Sequence, residues 1–449
     1  MTERAAVLKK VTEELGDRTL VWSGIRGDDI EPLRDVPQLG YSFSIAGAYN
    51  GRSDVRGLAY EQLTRVRVDP EVWDIDFHHH ERATEEFRRG LLRSMSEPSA
   101  LLPYRPSSFL SAIHFARQER CVNLGLFGAH QSAFEHKPFV ESEVAQLGIP
   151  HIPWTYIADE EQPLARNLVS AGPLVLRRSR TSGGEGIVRV DSAAEIGPHW
   201  PKGTEEFVSV APFIADTIPV NVGATVWRDS RGDDCVTVHH PSVQLIGIKS
   251  CVTREFGYCG NDFGAARDLD RSTIDRIEQS TKRVGRWLRG NGYIGTFGVD
   301  YLIKDGVPLF TEINARFQGS TYSSCRLSIE QGEACLMLEH VAAWLGLPMP
   351  ESPSLYERTR AVRDLANLAV HWTGREAATV NATALFSVVM DDFDPKATSD
   401  SVVATDVANE PGSLVGRFNV GRRVTDTGYD LAPELDRLID RWRRSEEAS

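Results

Sequence analysis

Four polar side chains near the end of one hairpin have the types and spacing that metal and phosphate chemistry requires. Glu312, Asn314 and Arg316 alternate along the run TEINARF, and alternate residues of a strand share a face. Asp300 lies on the preceding strand, in the run GVDYL. Two carboxylates and a carboxamide oxygen that converge form a hard-oxygen site for Mg²⁺, with Mn²⁺ as an alternative ion. We therefore predict that Asp300, Glu312 and Asn314 hold a metal.

The register of this hairpin decides whether the two carboxylates meet. A two-residue turn at the Asp-Gly pair 305–306 would pair Asp300 with Thr311 and place Asp300 and Glu312 on opposite faces. A three-residue turn ending at Pro308 would pair Asp300 with Glu312 directly. We predict the odd-length turn or a compensating bulge. The alternative interpretation is a strand edge with solvated polar side chains.

A glycine-rich turn lies between two strand-like runs, PLVLR and IVRV. Its glycines leave backbone N–H groups free to approach phosphate oxygens, and Arg177 stands just before it. The chain has no G-x-x-x-x-G-K-[ST] sequence, so the turn is not a Walker A loop. An ordinary flexible hairpin is equally consistent with the turn alone. The residues that would face phosphate are Ser182, Gly183, Gly184 and Gly186.

Lys137 is a further cation, at the start of a predicted helix within FEHKPFVESEVAQLGIPHIPW. Apolar residues at helical spacing predict this helix, and Gly148 with Pro150 ends it. A single surface lysine does not by itself indicate a binding site. Its significance comes from the order of the parts: a cation at a helix, a cation on a strand, a glycine turn and then the metal hairpin.

Composition and charge exclude several classes of protein. The 63 acidic and 50 basic residues give a formal charge of −13, which repels nucleic acid and anionic membranes. The six cysteines show no C-x-x-C pair, so we interpret them as reduced thiols. The first residues, MTERAAVLKK, do not resemble a signal peptide, and no apolar run is long enough to span a bilayer. We expect a cytoplasmic protein.

The 449 residues predict two or three domains. Short apolar runs alternate with helix-like stretches over residues 1–135 and favour an α/β layer structure. Strand-like runs separated by turns follow, with one long helix in RSTIDRIEQSTKRVGRWLRGNG. The run PMPESPSLYE reads as a linker, and residues 348–449 have no motif; we expect them to cover the site or form an interface.

The order of these parts resembles the ATP-grasp family. The matching segments are FEHKPFVESEVAQLGIP, PLVLRRSRTSGGEGI and GVDYLIKDGVPLFTEINARF, within residues 120–345. The resemblance implies an α/β and α+β architecture. In it, an N-terminal α/β domain (1–135) precedes an ATP-grasp domain with two lobes around the ATP site (136–347), and a C-terminal extension (348–449) follows.

The resemblance also implies a role for each candidate residue. Lys137 and Arg177 would contact the ATP phosphates, the glycine turn would close over them, and the hairpin triad would hold Mg²⁺. Arg316 would steady the acyl phosphate and the tetrahedral intermediate. Most members have lysine in place of Arg177, which keeps the charge. A glutamate usually opens the adenine-binding strand where this chain reads VSVAPFI, so the adenine contacts within Val208–Ile214 stay unassigned.

A narrower similarity concerns the substrates. The runs SGIRGDDIEPL, YSFSI and EFGYCGNDFGAA resemble peptide ligases of the pheganomycin-pathway type, which implies joining an amino acid carboxylate to the amino group of an amino acid or peptide. A glycine-bounded loop before the long helix either lines the acid or amine pocket or is a plain surface loop. Its candidate residues are Arg254, Tyr258, Asn261 and Asp262.

The expected activity is therefore an ADP-forming amide ligation through an acyl phosphate, with ATP and Mg²⁺ as cofactors and a small-molecule acid and amine as partners. One alternative is a biotin-type carboxylase that activates bicarbonate. Another is a non-catalytic ATP-binding sensor, against which the complete Asp300, Glu312 and Asn314 set argues. A homodimer is the default expectation for an oligomer.

Overall fold

Three large β-sheets and one pair of two-residue strands organise the residues that the structure describes. The computed structural model describes residues 2–69, 73–78, 81–179, 182–201, 207–228, 231–348, 352–389 and 408–447. Among the described residues, no helix combines the length and apolar character needed to cross a bilayer. All six cysteines are free thiols, as predicted.

The first sheet is parallel and confirms the α/β layer predicted for the N-terminal region. The elements of this region are α1 (Glu3–Leu15), β1 (Thr19–Arg26), β2 (Leu39–Ala46), β3 (Arg56–Ala59), α2 (Tyr60–Thr64), β4 (Val66–Arg67), α3 (Arg82–Ser94), β5 (Ser99–Pro103), α4 (Ser108–Phe115) and β6 (Cys121–Asn123). The strand order is β3-β2-β1-β5-β6, so the carboxyl ends of β1, β2 and β5 share one edge. Ligands of such sheets bind at this edge.

Two helices lead out of this sheet, α5 (Gly128–Phe134) and α6 (Lys137–Gln146). A single helix starting near Phe134 was expected, but the chain breaks between them. His136 is the N-cap of α6 and proline lies at its first turn. Proline is tolerated there and not further inside a helix, because it lacks an N–H donor. Gly148, with φ 65°, follows α6 and ends it as predicted.

The second sheet has four antiparallel strands in the order β7-β10-β8-β9. Its elements are β7 (Thr155–Ala158), α7 (Gln162–Leu168), β8 (Leu174–Arg177), β9 (Ile187–Val190), α8 (Ala193–His199) and β10 (Phe207–Pro212). Strands β8 and β9 are paired neighbours, so the glycine turn joins two strands as predicted.

The third sheet has seven antiparallel strands in the order β15-β14-β11-β12-β13-β16-β18. Its first strands and helices are β11 (Ile218–Arg228), β12 (Asp234–Ile246), β13 (Tyr258–Asp262), α9 (Arg271–Gly290), β14 (Gly295–Lys304) and β15 (Val307–Asn314). The later elements are α10 (Thr321–Glu330), α11 (Leu336–Trp344), α12 (Leu355–Ala361), β16 (Ala366–His371), α13 (Ala382–Val389), β17 (Ala408–Asn409), β18 (Leu414–Val420) and α14 (Pro433–Glu447).

Strands from the last hundred residues complete this sheet. Strand β16 pairs with β13 and β18 pairs with β16, so the predicted C-terminal extension continues the large sheet. The predicted linker at PMPESPSLYE lies partly outside the described residues, at 349–351. A domain boundary near residue 348 therefore stays a prediction.

Helix α9 covers the core face of the large sheet. Its apolar stripe, predicted from the sequence, is buried at Ile274, Ile277, Val284 and Leu288. Burial of each such side chain stabilises the fold by about 1.5–3 kcal/mol. The carboxylate of Asp270 accepts the Thr273 N–H at 2.9 Å and so caps the first turn. The core is thus fixed on the sheet face opposite to the polar groups of the site.

A buried ion network ties the last strand to the N-terminal region. Arg417 of β18 donates to Asp28 at 2.5 Å and to Asp29 at 2.6 Å. Both aspartates belong to the run SGIRGDDIEPL, and Arg26 lies 3.4 Å from Asp29. A buried ion network contributes little net stability but fixes geometry. The acidic part of this run thus positions the C-terminal strand.

His340 of α11 connects two regions through its ring. Its Nδ1 accepts the Thr296 N–H of β14 at 2.9 Å, and its Nε2 lies 2.8 Å from the Leu124 carbonyl. The ring is therefore neutral, with the proton on Nε2. Burial lowers the pKa of His340 to about 4, although the Leu124 carbonyl opposes this shift. If Nδ1 were protonated, its N–H would face the Thr296 N–H, and two donors would meet without an acceptor.

The burial of the neutral His340 ring predicts that the fold loses stability in acid. The pKa of His340 is about 4 when folded, against about 6.5 when unfolded. Its stabilising contribution is therefore complete above pH 6.5 and is lost as the pH falls towards 4. We expect His340→Gln to reduce the pH slope of the unfolding free energy by up to about 1.4 kcal/mol per pH unit in this window, measured by urea denaturation.

The exposed His130 provides the control. His130→Gln should leave the slope unchanged. An identical slope in wild type and His340→Gln would contradict the assignment.

Candidate active site

A bulge brings the two carboxylates of the hairpin together. Lys304 pairs with Val307 across a two-residue turn, in which Asp305 and Gly306 have φ 50° and 74°. The register then shifts between residues 300 and 301, and Asp300 pairs with Glu312. The extra residue in β15 is at position 311. The compensating bulge predicted from the sequence is therefore present, and Asp300 and Glu312 share a face.

Asp300 is buried at the centre of a polar cluster. It accepts the side-chain amide of Asn221 at 2.5 Å and that of Asn314 at 3.2 Å. Burial, followed by the charge of the neighbouring Glu312 carboxylate, raises the pKa of Asp300 to about 8. In the absence of a cation, the two carboxylates therefore favour sharing a single negative charge.

Glu312 is part-exposed and is paired with Lys137. The Lys137 ammonium donates a hydrogen bond to the Glu312 carboxylate. Burial alone would raise the pKa of Glu312, but the Lys137 charge outweighs it and lowers the pKa to about 2. The Asn314 amide nitrogen lies 3.5 Å from Glu312. Glu312 is thus an anion oriented by a lysine.

This donor set fits a divalent cation. Asp300 and Glu312 supply carboxylate oxygens, and a half-turn of the Asn314 amide replaces its nitrogen with its oxygen. Among the described residues, no group of three or more His, Cys, Asp or Glu side chains is arranged to hold a metal. A cation here would complete its coordination with phosphate and water oxygens, as Mg²⁺ does.

Arg177 is a second buried cation beside the cluster. Its guanidinium bonds the Glu141 carboxylate of α6 and lies 3.8 Å from the centre of the Trp154 ring. The Lys137 backbone N–H donates to Ser179 at 3.2 Å, which holds the start of α6 beside the end of β8. The two predicted phosphate-binding cations are therefore adjacent in the fold although 40 residues apart in sequence.

The glycine turn adopts a conformation that only glycine tolerates well. Gly183, Gly184 and Gly186 have φ of 57°, 78° and 67°. A Cβ on Gly184 would lie 2.0 Å from the Phe256 carbonyl oxygen, so the turn is closely packed on the neighbouring loop. Ser182, Gly183 and Gly184 line the cleft. Thr181 lies outside the described residues.

The cleft runs between the four-stranded and the seven-stranded sheets. Asp300, Glu312, Asn314 and Arg316 lie at its polar end. Its apolar end suits a planar heterocycle. The residues of that end are Ile152, Val175, Ala211, Pro212, Phe213, Ile214 and Leu302. Four of them fall within the segment Val208–Ile214, where the sequence predicted adenine contacts without assigning them.

Arg316 lies where the cleft meets the N-terminal region. Its Nε lies 3.2 Å from Glu135, and its Nη1 donates to the Phe317 carbonyl at 3.0 Å. Arg105 bonds the same Glu135 carboxylate at 2.7 Å. Burial alone would raise the pKa of Glu135, but Arg105 and Arg316 lower it. This shared anion fixes the position of Arg316.

The four candidate substrate residues separate into two pairs. Tyr258 and Asn261 line the cleft, with the Tyr258 hydroxyl 2.5 Å from the Asn261 oxygen. Arg254 bonds Asp69 at 2.8 Å, and Asp262 accepts the Val424 N–H at 2.6 Å. Neither of these two is among the described residues that line the cleft.

The expectation that these four residues form one loop was wrong. Residues Tyr258–Asp262 are strand β13, because β12 and β16 pair with its two edges.

Sequence reasoning missed several residues of the cleft. Asn221 lies opposite Asp300 on β11 and accepts the Ser320 hydroxyl at 2.6 Å. Its signal was a lone amide in the apolar run PVNVGATVW. Gln318 also lines the cleft, as does Tyr429, whose hydroxyl lies 3.1 Å from Thr217. Nothing local marks Tyr429, because its place depends on how the C-terminal segment packs.

Known proteins resemble this chain at the level of a family model and of solved structures. Residues 153–320 match the family model described as ATP-grasp domain. No curated protein matches the chain. Among solved structures, the biotin carboxylase of Campylobacter jejuni is similar, with a TM-score of 0.60 and 13% identity over 90% of this chain and 87% of that one.

Two further structures are similar. The carboxyaminoimidazole ribonucleotide synthase of Aspergillus clavatus has a TM-score of 0.59 and 13% identity, over 95% of this chain and 99% of that one. The biotin carboxylase domain of the Hydrogenobacter thermophilus 2-oxoglutarate carboxylase has a TM-score of 0.60 and 11% identity, over 90% and 86%. At such identities the likeness establishes the fold. The chain has the ATP-grasp fold, and it contains an ATP-grasp domain that the family model matches over residues 153–320.

Proposed function

We propose that the chain is an ADP-forming ligase that activates a carboxylic acid with ATP and transfers it to an amine. The observation that carries this proposal is the convergence of Asp300, Glu312 and Asn314 at one end of a cleft with Lys137 and Arg177 beside them. Acid activation needs a site that neutralises phosphate charge and positions the acid. This arrangement supplies both.

ATP is the nucleotide we assign to the cleft. The C. jejuni and A. clavatus structures are described as ATP complexes, and the H. thermophilus structure holds MgADP and bicarbonate. In this chain the apolar end of the cleft would take the base. The glycine turn would bring its backbone N–H groups to the phosphates.

Mg²⁺ is the cofactor that the donor set fits best, with Mn²⁺ as an alternative. Asp300, Glu312 and Asn314 would hold it, and when bound it would neutralise charge on the phosphoryl oxygens. Lys137 and Arg177, which lie beside this donor set, would bind phosphate oxygens as well. Both cations are paired with carboxylates, Glu312 and Glu141, which hold them in place.

The proposed reaction has two steps. A carboxylate oxygen of the acid bonds to the γ-phosphorus while the bond to the bridging oxygen breaks, which releases ADP and leaves an acyl phosphate. The amine nitrogen then bonds to the acyl carbon, phosphate leaves and the amine loses a proton. Arg316, fixed by Glu135, would steady the acid in the first step and the tetrahedral oxyanion in the second.

The glycine turn would act as a lid. Water attacks an acyl phosphate, so the site must be closed while this species exists. We take the close packing of Gly184 against the Phe256 carbonyl to be this closed position. A short turn hinged on glycines can open and close with small changes in φ and ψ.

An amino acid or peptide as the amine is the finer part of the proposal. It rests on the sequence resemblance to peptide ligases of the pheganomycin-pathway type. The rivals are a biotin-type carboxylase and a sensor that binds ATP without turnover. We also propose a cytoplasmic location and a homodimer; the H. thermophilus structure is described as a dimer.

The direct test is a product analysis. Purified protein with ATP and Mg²⁺ should release ADP and phosphate only when both a carboxylic acid and an amine are supplied, and mass spectrometry should find the amide. Release of AMP and pyrophosphate would contradict the proposal. ADP release with bicarbonate and no amine would establish the carboxylase rival.

Removal of one carboxylate should stop catalysis in a folded protein. We expect Glu312→Gln to reduce the kcat of ADP formation by at least about a hundredfold, because it removes one anionic ligand and the partner of Lys137. Thermal unfolding should show that the variant folds. Glu330→Gln, at an exposed ion pair with Arg363, is the matched control and should keep full activity. Equal activity of the two variants would show that Glu312 is not part of the active site.

A side chain in the glycine turn should uncouple the two steps. In Gly184→Ala the new Cβ would meet the Phe256 carbonyl at 2.0 Å, so the turn cannot keep its closed position. We expect amide formation to fall at least about tenfold and the ratio of phosphate released to amide formed to rise. Gly290→Ala, where no atom lies within 4 Å, is the control. An unchanged ratio in Gly184→Ala would argue against a lid.

A further inference from the structure

A second cavity opens beside the polar end of the cleft, and we call it the side pocket. It lies at the carboxyl ends of β1, β2 and β5, where parallel sheets bind ligands. Two residues, Ser182 of the glycine turn and Arg316, line both the side pocket and the cleft. The side pocket is therefore next to the place where an acyl phosphate would form.

The wall of the side pocket is mainly apolar. Its apolar residues come from several segments of the N-terminal region: Ile25, Ile45, Trp73, Ile75, Phe109 and Leu110. A site for a small polar ion has no use for such a wall, since removing an ion from water without a partner costs free energy. The wall suits an aliphatic or aromatic group.

Two polar side chains of the side pocket, Arg105 and Ser107, already have partners within the protein. Arg105 bonds Glu135 at 2.7 Å and lies 3.7 Å from Asp74. The Ser107 hydroxyl accepts the Leu110 N–H at 3.1 Å and caps α4. Arg105 and Ser107 therefore help to fix the shape of the side pocket, and its apolar wall is left for a ligand.

We propose that the side pocket holds the side chain of the acid, and that this acid has a bulky aliphatic or aromatic side chain. The inference rests on the proposed function and names its substrate class. The charge of Arg316, where the side pocket meets the cleft, indicates that the side pocket holds the acid and not the amine. Arg316 attracts a carboxylate, which a guanidinium binds well, and repels an ammonium group. Bicarbonate, the acid that the carboxylase rival activates, has no side chain to place there.

The test is a graded series of acids. Glycine, L-alanine, L-leucine and L-phenylalanine share one reacting carboxylate and differ in apolar bulk, and phenylacetate lacks the α-amino group. Hydroxylamine serves as the amine, since it traps acyl phosphates as hydroxamates. We expect kcat/KM to rise along the series, with phenylalanine at least about a hundredfold above glycine.

A variant that fills the side pocket should weaken this preference. Ile45 is only partly buried at the wall, so Ile45→Trp places an indole in the cavity. We expect the ratio of kcat/KM for phenylalanine to that for glycine to fall at least about tenfold. Leu164→Trp, on the exposed face of α7, adds the same indole elsewhere and should leave the ratio unchanged.

The outcomes separate the two proposals when ATP binding is measured independently. A protein that binds no ATP fails the proposed function. A protein that binds ATP and forms hydroxamates, but shows no preference for bulk or accepts only polar acids, overturns the side-pocket assignment alone. A protein that binds ATP and forms no hydroxamate with any acid behaves as the sensor and fails the proposed function. An Ile45→Trp effect on the choice of amine, with acid selectivity unchanged, also overturns it.

Discussion

Asp300 and Glu312 lie side by side on paired strands, and their two carboxylates repel each other. The neighbouring groups of the site offset this repulsion. The bulge in β15 pairs Asp300 with Glu312, although the two-residue turn alone would separate them. Burial makes the pair costlier still, because charge is poorly solvated there. The fold compensates with the Lys137 ammonium and the amide of Asn221. Such a pair stabilises a folded chain poorly, and it is well suited to a divalent cation.

The surrounding cations are also held by anions. Lys137 lies on Glu312, Arg177 on Glu141 and Arg316 on Glu135. Each pair is at least partly buried, so each side chain has one position before any ligand arrives. A site with placed charges loses little free energy to reorganisation when a phosphate binds. The net charge of −13 therefore does not prevent the binding of an anion.

The N-terminal sheet and the C-terminal strands are coupled to this site by polar contacts. Glu135 joins Arg105 of the side pocket to Arg316 of the cleft, and His340 joins the Leu124 carbonyl to the Thr296 N–H. Arg417 anchors β18 to the N-terminal region. These contacts are directional, so they set the angle between the sheets more narrowly than apolar packing does.

The sequence by itself determined the local parts. Helix α9, the strand-turn-strand around the glycines and the hairpin follow from periodicity and turn chemistry, which act over a few residues. It also showed that Asp300 and Glu312 meet only through an irregularity, because side chains alternate along a strand. It did not place the break before α6, nor show that residues 258–262 form a strand, since pairing with β16 decides that.

Tertiary structure alone decided which distant groups share the site. Asn221, Tyr429 and the side pocket depend on contacts between segments far apart in the chain, and no spacing rule reaches across them. Arg254 and Asp262 are the opposite case: the sequence suggested that both bind a substrate, but each has a partner within the protein. Asp69 bonds the first and the Val424 N–H the second, and only the packing of remote segments brings those partners to them.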